Sequence, residues 1–416
     1  MATRPVFSTD PPYYDNVPYS DLSDFFYVWQ RPILQSIYPQ LLSSVLTPKA
    51  SELVADSFRH GSAEQASKFF EQGFRKAFAN MRAAMNEDFP LTVFYAFKQS
   101  EADSSDDEAD SEAPDSHAST GWETMLDGLL HAGFSVDGTW PMRTELVGNL
   151  KRNWNALASS IVIVCRPRLD DAPVSSRRDF LATLRRELPE ALRLLQKGNI
   201  APVDLAQAAI GPGMAVFSRY ARVLEADGTT MGVRAALGLI NQMLDEVLAE
   251  QEGEFDAETR WALAWCDQHG FGEGAFGVAE TLSKAKNTSV SGMVEAGIVA
   301  AKAGKVRLLK MEELDPEWNP AGDARLTNWE VVHHLIRTLD TGEEATAKLL
   351  ARIRTADAAK ADAARDLAYR LYSMSERRKR SQDALGYNAL VLAWPELAKL
   401  AQGVPAETTA RQGELI

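Results

Sequence analysis

Apolar positions follow two different periods along this chain, and the change from one to the other divides it. In the first 168 residues short apolar runs alternate with helical spacings. The runs are PVFST (Pro5 to Thr9), LTVFYAF (Leu91 to Phe97), FSVDGTWPMR from Phe134 and SIVIVCRPR from Ser160, each rich in residues that suit a strand. Between them, apolar side chains three and four apart mark helices over roughly 21 to 42 and 63 to 85, and again through GWETMLDGLLHAGF, where Gly133 is suited to stop the helix. Strand, helices, strand, helix, strand, strand predicts a partly parallel sheet. Nothing of helix length separates the last two runs, so they are expected to pair antiparallel.

From about Arg177 onward the spacings are helical, with stops at Gly198, Gly211 to Gly213, Gly228, Gly253, Gly270 and Pro316 and no fixed repeat. The expected fold class is thus α/β, with residues 1–168 as an α/β domain and 169–416 as a mainly helical region, a candidate DNA-binding or interaction domain. One segment breaks this pattern. Ser100 to Ser119 (SEADSSDDEADSEAPDSHAS) holds eight acids and no Lys or Arg, and predicts a disordered acidic loop over 100–119 that interrupts the first domain.

That loop changes the meaning of the charge. The chain carries 58 acids against 44 bases, a net −14, which by itself disfavours nucleic acid. Without the loop 50 acids face 44 bases, and an enzyme acting on DNA needs only a local basic groove. No apolar stretch reaches the length of a membrane span and no basic-then-apolar leader opens the chain, so a cytoplasmic location without membrane contact is expected. Cys165 and Cys266 lie in apolar surroundings with no second pair, and are expected to be buried thiols; no metal site is expected.

The most specific chemistry lies in Thr9-Asp10-Pro11-Pro12-Tyr13-Tyr14-Asp15-Asn16, directly after the first strand. Ligands of open α/β sheets bind at the carboxyl ends of strands. Consecutive prolines stiffen the turn and leave carbonyls that only accept hydrogen bonds. Such a turn suits an exocyclic amino group on a base turned out of the duplex: Asp10 and the Pro11 carbonyl accept its two hydrogens while Tyr13 stacks on the ring. The nitrogen lone pair is then available to attack an electrophilic methyl group.

Asp10-Pro11-Pro12-Tyr13 resembles the catalytic tetrapeptide of DNA methyltransferases that modify adenine or cytosine amino groups. The longer stretches TDPPYYDNVPYSDLSDFFYVW, TPKASELVADSFRHG, PLTVFYAFKQ, STGWETMLDGLLHAGF, TWPMRTE, NALASSIVIVCRPR and IAPVDLAQAAIGPGMAVFSRY are similar to one family of large bacterial and archaeal DNA methylases, which carry an N-terminal domain of unknown function and are often encoded near phage-defence genes. The resemblance implies a partial Rossmann-like methyltransferase sheet, its last strands ending in an antiparallel hairpin, followed by the mainly α-helical region. It implies an S-adenosylmethionine-dependent enzyme, with DNA as partner. In that family a Gly-rich donor loop follows an earlier strand, and this sequence has no such element. A chain that binds the donor poorly alone is therefore expected, completed by an N-terminal methyltransferase half or by defence-system proteins. The rival expectation is a non-catalytic DNA-binding or scaffold subunit of a phage-defence complex.

Other residues carry weaker signals. Tyr14, Asp15 and Asn16 either line the base pocket or cap the helix starting near Asp21. Lys98, Trp140 and Arg143 sit near strand ends, and Lys151 and Arg152 lie between the last two strands, where they are candidates for the cleft or for DNA. Gly270 to Gly277 is expected to be an interhelical turn, not a phosphate loop, since no strand precedes it. His333 and His334 diverge on a helix and are expected on a polar face. The run Glu376-Arg377-Arg378-Lys379-Arg380 is expected to be a solvated helix face.

Overall fold

A computed structural model describes residues 4–12, 17–95, 120–142 and 160–404. These fall into two compact units, one of residues up to 142 with 160–191 and 207–243, the other of 192–206 with 244–404. The acidic segment 100–119 lies outside the described residues.

The first unit begins with β1 (Ser8–Thr9), α1 (Tyr19–Leu34), α2 (Ser57–His60), α3 (Ala63–Ala84), β2 (Leu91–Tyr95), α4 (Thr120–His131), β3 (Phe134–Met142) and β4 (Ser160–Pro167). Then come β5 (Val174–Ser176), α5 (Arg177–Lys197), α6 (Pro202–Ser218), β6 (Arg222–Leu224) and α7 (Val233–Glu250). Four strands form a sheet in the order β1-β2-β4-β3, and β5 pairs parallel with β6. β1 runs parallel to β2, whereas β4 is antiparallel to both β2 and β3. The expected antiparallel pair is present, and it has a consequence: β1, β2 and β3 all point the same way, with β4 reversed between the last two.

Burial follows the pleat. Leu91, Val93 and Tyr95 of β2 stand beside Cys165, Ile163 and Ile161 of β4, and all six are buried on one face. Each such side chain contributes about 1.5–3 kcal/mol on leaving water. Helix α4 ends as its sequence predicts, with Gly133 at φ +82° accepting a left-handed turn that a side chain would strain.

Helix α1 stops at Leu34, short of the expected 42. Pro32 removes one helical N–H donor, and residues 35–46 continue as turns. Its orientation is inverted relative to an ordinary surface helix. Ser20, Asp24, Tyr27 and Arg31, spaced four, three and four apart, face the rest of the unit. Asp24 accepts from Lys49 Nζ at 2.6 Å and Thr47 N at 2.9 Å, Glu52 accepts from Ser20 N at 2.9 Å and Arg59 Nη1 at 2.6 Å, and the Tyr27 hydroxyl donates to the Ser44 carbonyl at 3.0 Å. Hydrogen bonds from Lys49 and Thr47 hold the Asp24 carboxyl at about 2. The opposite stripe, Tyr19, Leu22, Phe26, Trp29 and Ile33, meets solvent, with Trp29 69% exposed.

The second unit contains α8 (Ala257–His269), β7 (Gly274–Ala275), α9 (Phe276–Ala285), α10 (Val290–Glu295), β8 (Val299–Lys302), β9 (Lys305–Leu308), α11 (Asn328–Leu339), α12 (Glu343–Ala356), α13 (Ala358–Arg377) and α14 (Ser381–Gln402). Helices α11 to α14 pack on one another. Within the expected mainly helical region lies a three-stranded antiparallel sheet, ordered β7-β9-β8, that the sequence did not reveal. Gly274 and Ala275, expected in a turn, pair with Val306 and Lys305 as its first strand.

Two further expectations need correction here. His333 and His334 are not on a polar face: His333 is 1% exposed, and α11 is buried from Asn328 to Ile336. Burial lowers both imidazoles to about 4, so each is neutral at pH 7. Neutral His333 donates from Nδ1 to the Trp329 carbonyl at 2.7 Å, which leaves Nε2 to accept from the Tyr387 hydroxyl at 3.1 Å. His334 instead stacks on Trp318, ring centroids 4.1 Å apart, so the two rings diverge as expected. The basic run is also not simply a solvated face. Helix α13 ends at Arg377, Arg378 pairs with Asp267 at 3.0 Å, and Arg380 Nη1 donates to the Cys266 carbonyl at 2.6 Å, closing the last turn of α8.

Candidate active site

The site is built on the edge of the first unit's sheet where β1, β2 and β3 end. Strand β1 is held by pairing Ser8 with Thr92 and Thr9 with Val93, and by Thr92 N donating to the Phe7 carbonyl at 3.2 Å. Pairing stops there because Pro11 and Pro12 have no N–H to offer a neighbour. β2 continues two residues further, to Tyr95. Asp10 and Pro12 are exposed and Pro11 is half-buried, and these residues stand at the carboxyl end of a parallel strand.

The opposite side of that edge is formed by the end of β3. Here a β-bulge changes which way side chains point. Val136 pairs with Cys165, but the next paired residue is Gly138, with Val164, so Asp137 is an extra residue and forms an ion pair with Arg166 at 2.9 Å. Beyond the bulge every side chain has moved to the face opposite the one simple alternation assigns. Trp140 therefore shares a face with Val162 and, through β4, with Phe94 of β2. Phe94, Val162 and Trp140 form a row across three strands, and Trp140 is 58% exposed at its end.

The same shift turns Thr139 to the other face, where its hydroxyl donates to the Ala208 carbonyl of α6 at 3.0 Å. Helix α6 approaches so closely that a Cβ on Gly211 would overlap the Thr139 side chain, and one on Gly213 would come within 2.6 Å of Ile240. Val136 N donates to Ser218 Oγ at 2.8 Å, so α6 fixes β3 at two points on either side of the bulge. Below the edge, Tyr95 packs edge-on against Trp122 of α4 with ring centroids 5.4 Å apart. The scaffold under the turn is well packed.

Of the residues singled out from the sequence, the structure therefore brings Asp10, Pro11, Pro12 and Trp140 to one edge of one sheet. Tyr13, Tyr14, Asp15, Asn16, Lys98, Arg143, Lys151 and Arg152 lie outside the described residues. The described strand ends that flank several of them, Tyr95, Met142 and Ser160, belong to this same edge. Sequence reasoning did not find Phe94 and Val162, which a strict two-residue alternation places away from Trp140. The one available signal was Asp137-Gly138, a charge and a glycine in mid-strand, the composition of a bulge.

Among the described residues no group of three or more His, Cys, Asp or Glu is placed to hold a metal ion, and no helix is long and apolar enough to cross a membrane. Burial raises both thiols, Cys165 well above its ordinary value and Cys266 to about 11. Residues 256–415, fewer than half of the chain, match a family described as a domain of unknown function (DUF8807). That match begins at Asp256, the N-cap of α8, and leaves the sheet edge outside it. No curated protein and no solved structure matches the chain.

Proposed function

We propose that this chain is the catalytic-motif-bearing portion of an S-adenosylmethionine-dependent DNA methyltransferase acting on an exocyclic amino group of adenine or cytosine. The observation that carries this reading is the place of Asp10-Pro11-Pro12, with Asp10 exposed, at the carboxyl end of β1 beside the parallel β2. The strand directions are compatible with it: β4 runs antiparallel between β2 and β3, as in a sheet that ends in an antiparallel hairpin.

The chemistry assigned to the chain's own residues is limited and specific. Asp10 accepts one amino hydrogen and the Pro11 carbonyl the other, which directs the nitrogen lone pair outward. Tyr13 stacks on the extruded base, and the row from Phe94 to Trp140 offers a second apolar surface at the same end of the sheet. The bound donor supplies an electrophilic methyl group. Binding of that donor is assigned to an N-terminal methyltransferase half acting with this chain. The second unit is assigned to holding DNA or defence-system proteins.

The test is methyl transfer to DNA by the chain co-expressed with a donor-binding half. Asp10→Ala is expected to reduce the rate at least about a hundredfold, the scale for removing one aligned polar group from a transition state. Circular dichroism of Asp10→Ala checks that the variant is folded. Full activity in Asp10→Ala would sink the catalytic assignment and favour the scaffold reading.

A further inference from the structure

We propose that residues 257–308 form a winged-helix module that binds duplex DNA, with α10 entering the major groove and the β8–β9 hairpin tip lying along the phosphates. This inference concerns the second unit alone and stands independently of the methyltransferase reading. Along the chain the elements run helix, strand, helix, helix, strand, strand: α8, β7, α9, α10, β8 and β9. Their strands pair in the order β7-β9-β8, all antiparallel, so the short first strand joins the far strand of the hairpin. One core closes the module, with Trp261, Ala279, Met293, Ile298, Val306 and Leu308 all buried.

The geometry leaves a defined surface free. Helices α9 and α10 are joined by a tight turn in which Asn287 takes φ +58°, and Ser289 caps α10 by accepting from Gly292 N at 3.0 Å. A second helix held by a short turn is how helix-turn-helix proteins offer a helix to the major groove. On α10 the exposed side chains are Ser291, Val294 and Glu295, small or polar groups able to meet base edges and a thymine methyl. Across the helix, Gly292 has no side chain because the Arg325 guanidinium lies over it, placing a cation on this face.

The hairpin tip is the observation that points to an anion. Ala303 at φ +52° and Gly304 at φ +76° make a two-residue turn of the kind that keeps a hairpin tight. It sets Lys302 and Lys305 directly opposite each other, both exposed. Like charges across a strand pair destabilise it, and among the described residues only one of the two has an acid to offset this. Glu273 pairs with Lys305 at 2.6 Å, while among the described residues Lys302 has no ion pair. Phosphates on a duplex backbone satisfy both lysines at once. Glu280 and Glu295 limit the basic character of the surface, but each sits near a cation, Lys284 at 3.4 Å and Arg325 at 3.7 Å.

The experiment is fluorescence anisotropy of the full chain with a labelled mixed-sequence duplex over a series of salt concentrations. The wild type should bind at low salt, with affinity falling as salt rises. Lys302→Gln with Lys305→Gln should weaken binding at least about tenfold and make the logarithmic salt slope shallower by about two. Ser291→Glu, on an exposed position of α10, should weaken it by a similar factor, and it carries the test if the lysine pair variant loses its circular dichroism spectrum. Lys68→Gln, the same change of charge on the exposed face of α3, should leave the affinity unchanged, and methyl transfer measured separately distinguishes failure of this module from failure of the methyl-transfer reading. No binding by the wild type, or unchanged affinity and slope in folded variants, overturns the proposal.

Discussion

Replacing Asp256 with alanine should lower the unfolding free energy by about 3–5 kcal/mol, the range for breaking a largely buried ion pair and a helix cap together. One carboxylate holds three elements. Its Oδ1 accepts from Thr259 N at 2.7 Å in the first turn of α8, and its Oδ2 accepts from Asn328 N at 2.8 Å, the first residue of α11, and from Lys360 Nζ at 2.9 Å on α13. The two side chains of the pair are only 16% and 20% exposed. Alanine leaves an ammonium without its counter-charge and two helix-terminal N–H groups open. Burial raises the Asp256 carboxyl, but the Asn328 N–H, Lys360 and Thr259 outweigh it and hold it below its usual value. Its contribution is therefore complete above the unfolded carboxylate range and lost as pH falls through the folded value. Urea unfolding followed by tryptophan fluorescence measures the loss; less than about 1 kcal/mol would show that the three contacts are not held in solution.

Glu330→Gln should have the opposite sign and appear only above acidic pH. Burial, the nearby Asp323 and, more weakly, Asp256 push the Glu330 carboxyl up to about 8 against bonds from Thr327, which lower it. Glu330 is 3% exposed, and its Oε2 accepts from Thr327 N at 3.3 Å, completing the capping box of α11, and from Thr327 Oγ1 at 2.9 Å. Between about pH 4.5 and 8 the unfolded chain has released a proton that the folded chain keeps, so stability falls as pH rises through that window. By linkage the loss approaches about 4 kcal/mol. Glutamine keeps the acceptor and cannot ionise. The variant should match the wild type near pH 4.5 and exceed it by several kcal/mol near pH 8, measured by urea titration at both values. Parallel stability profiles for the two proteins would refute a raised carboxyl.

These two groups also show why the fold was only partly legible beforehand. Strand pairing of β3 with β4, the end of α4 at Gly133, the span of α3 and the burial of both cysteines follow from local pattern, because each depends on neighbours within one element or one hairpin. The position of Asp10 just past β1 was legible for the same reason. The β7-β9-β8 sheet was not, since strands of two to four residues are too short to display a period. The burial of His333 depends on helices 50 residues away, and a polar pair within VVHHLI gives no local sign of it. Helix α1 displays its amphipathic spacing plainly, but spacing does not say which stripe turns inward; the partners at Lys49, Glu52 and Arg59 decide that. The bulge at Asp137 is the costliest omission for the site, because one inserted residue reassigns Trp140 to the other face.

The placement of the two cysteines has a practical outcome. Cys165 sits on β4 of the first unit and Cys266 on α8 of the second, each sealed from solvent and each less acidic than a free thiol. Alkylating reagents attack the thiolate, so both sulfurs are silent while their surroundings stay closed. Every opening that admits a reagent at Cys165 reports on the sheet, and every one at Cys266 reports on the helical unit. Peptide mapping of the modified chain over time thus reads two separate clocks from one natural protein, without any introduced label.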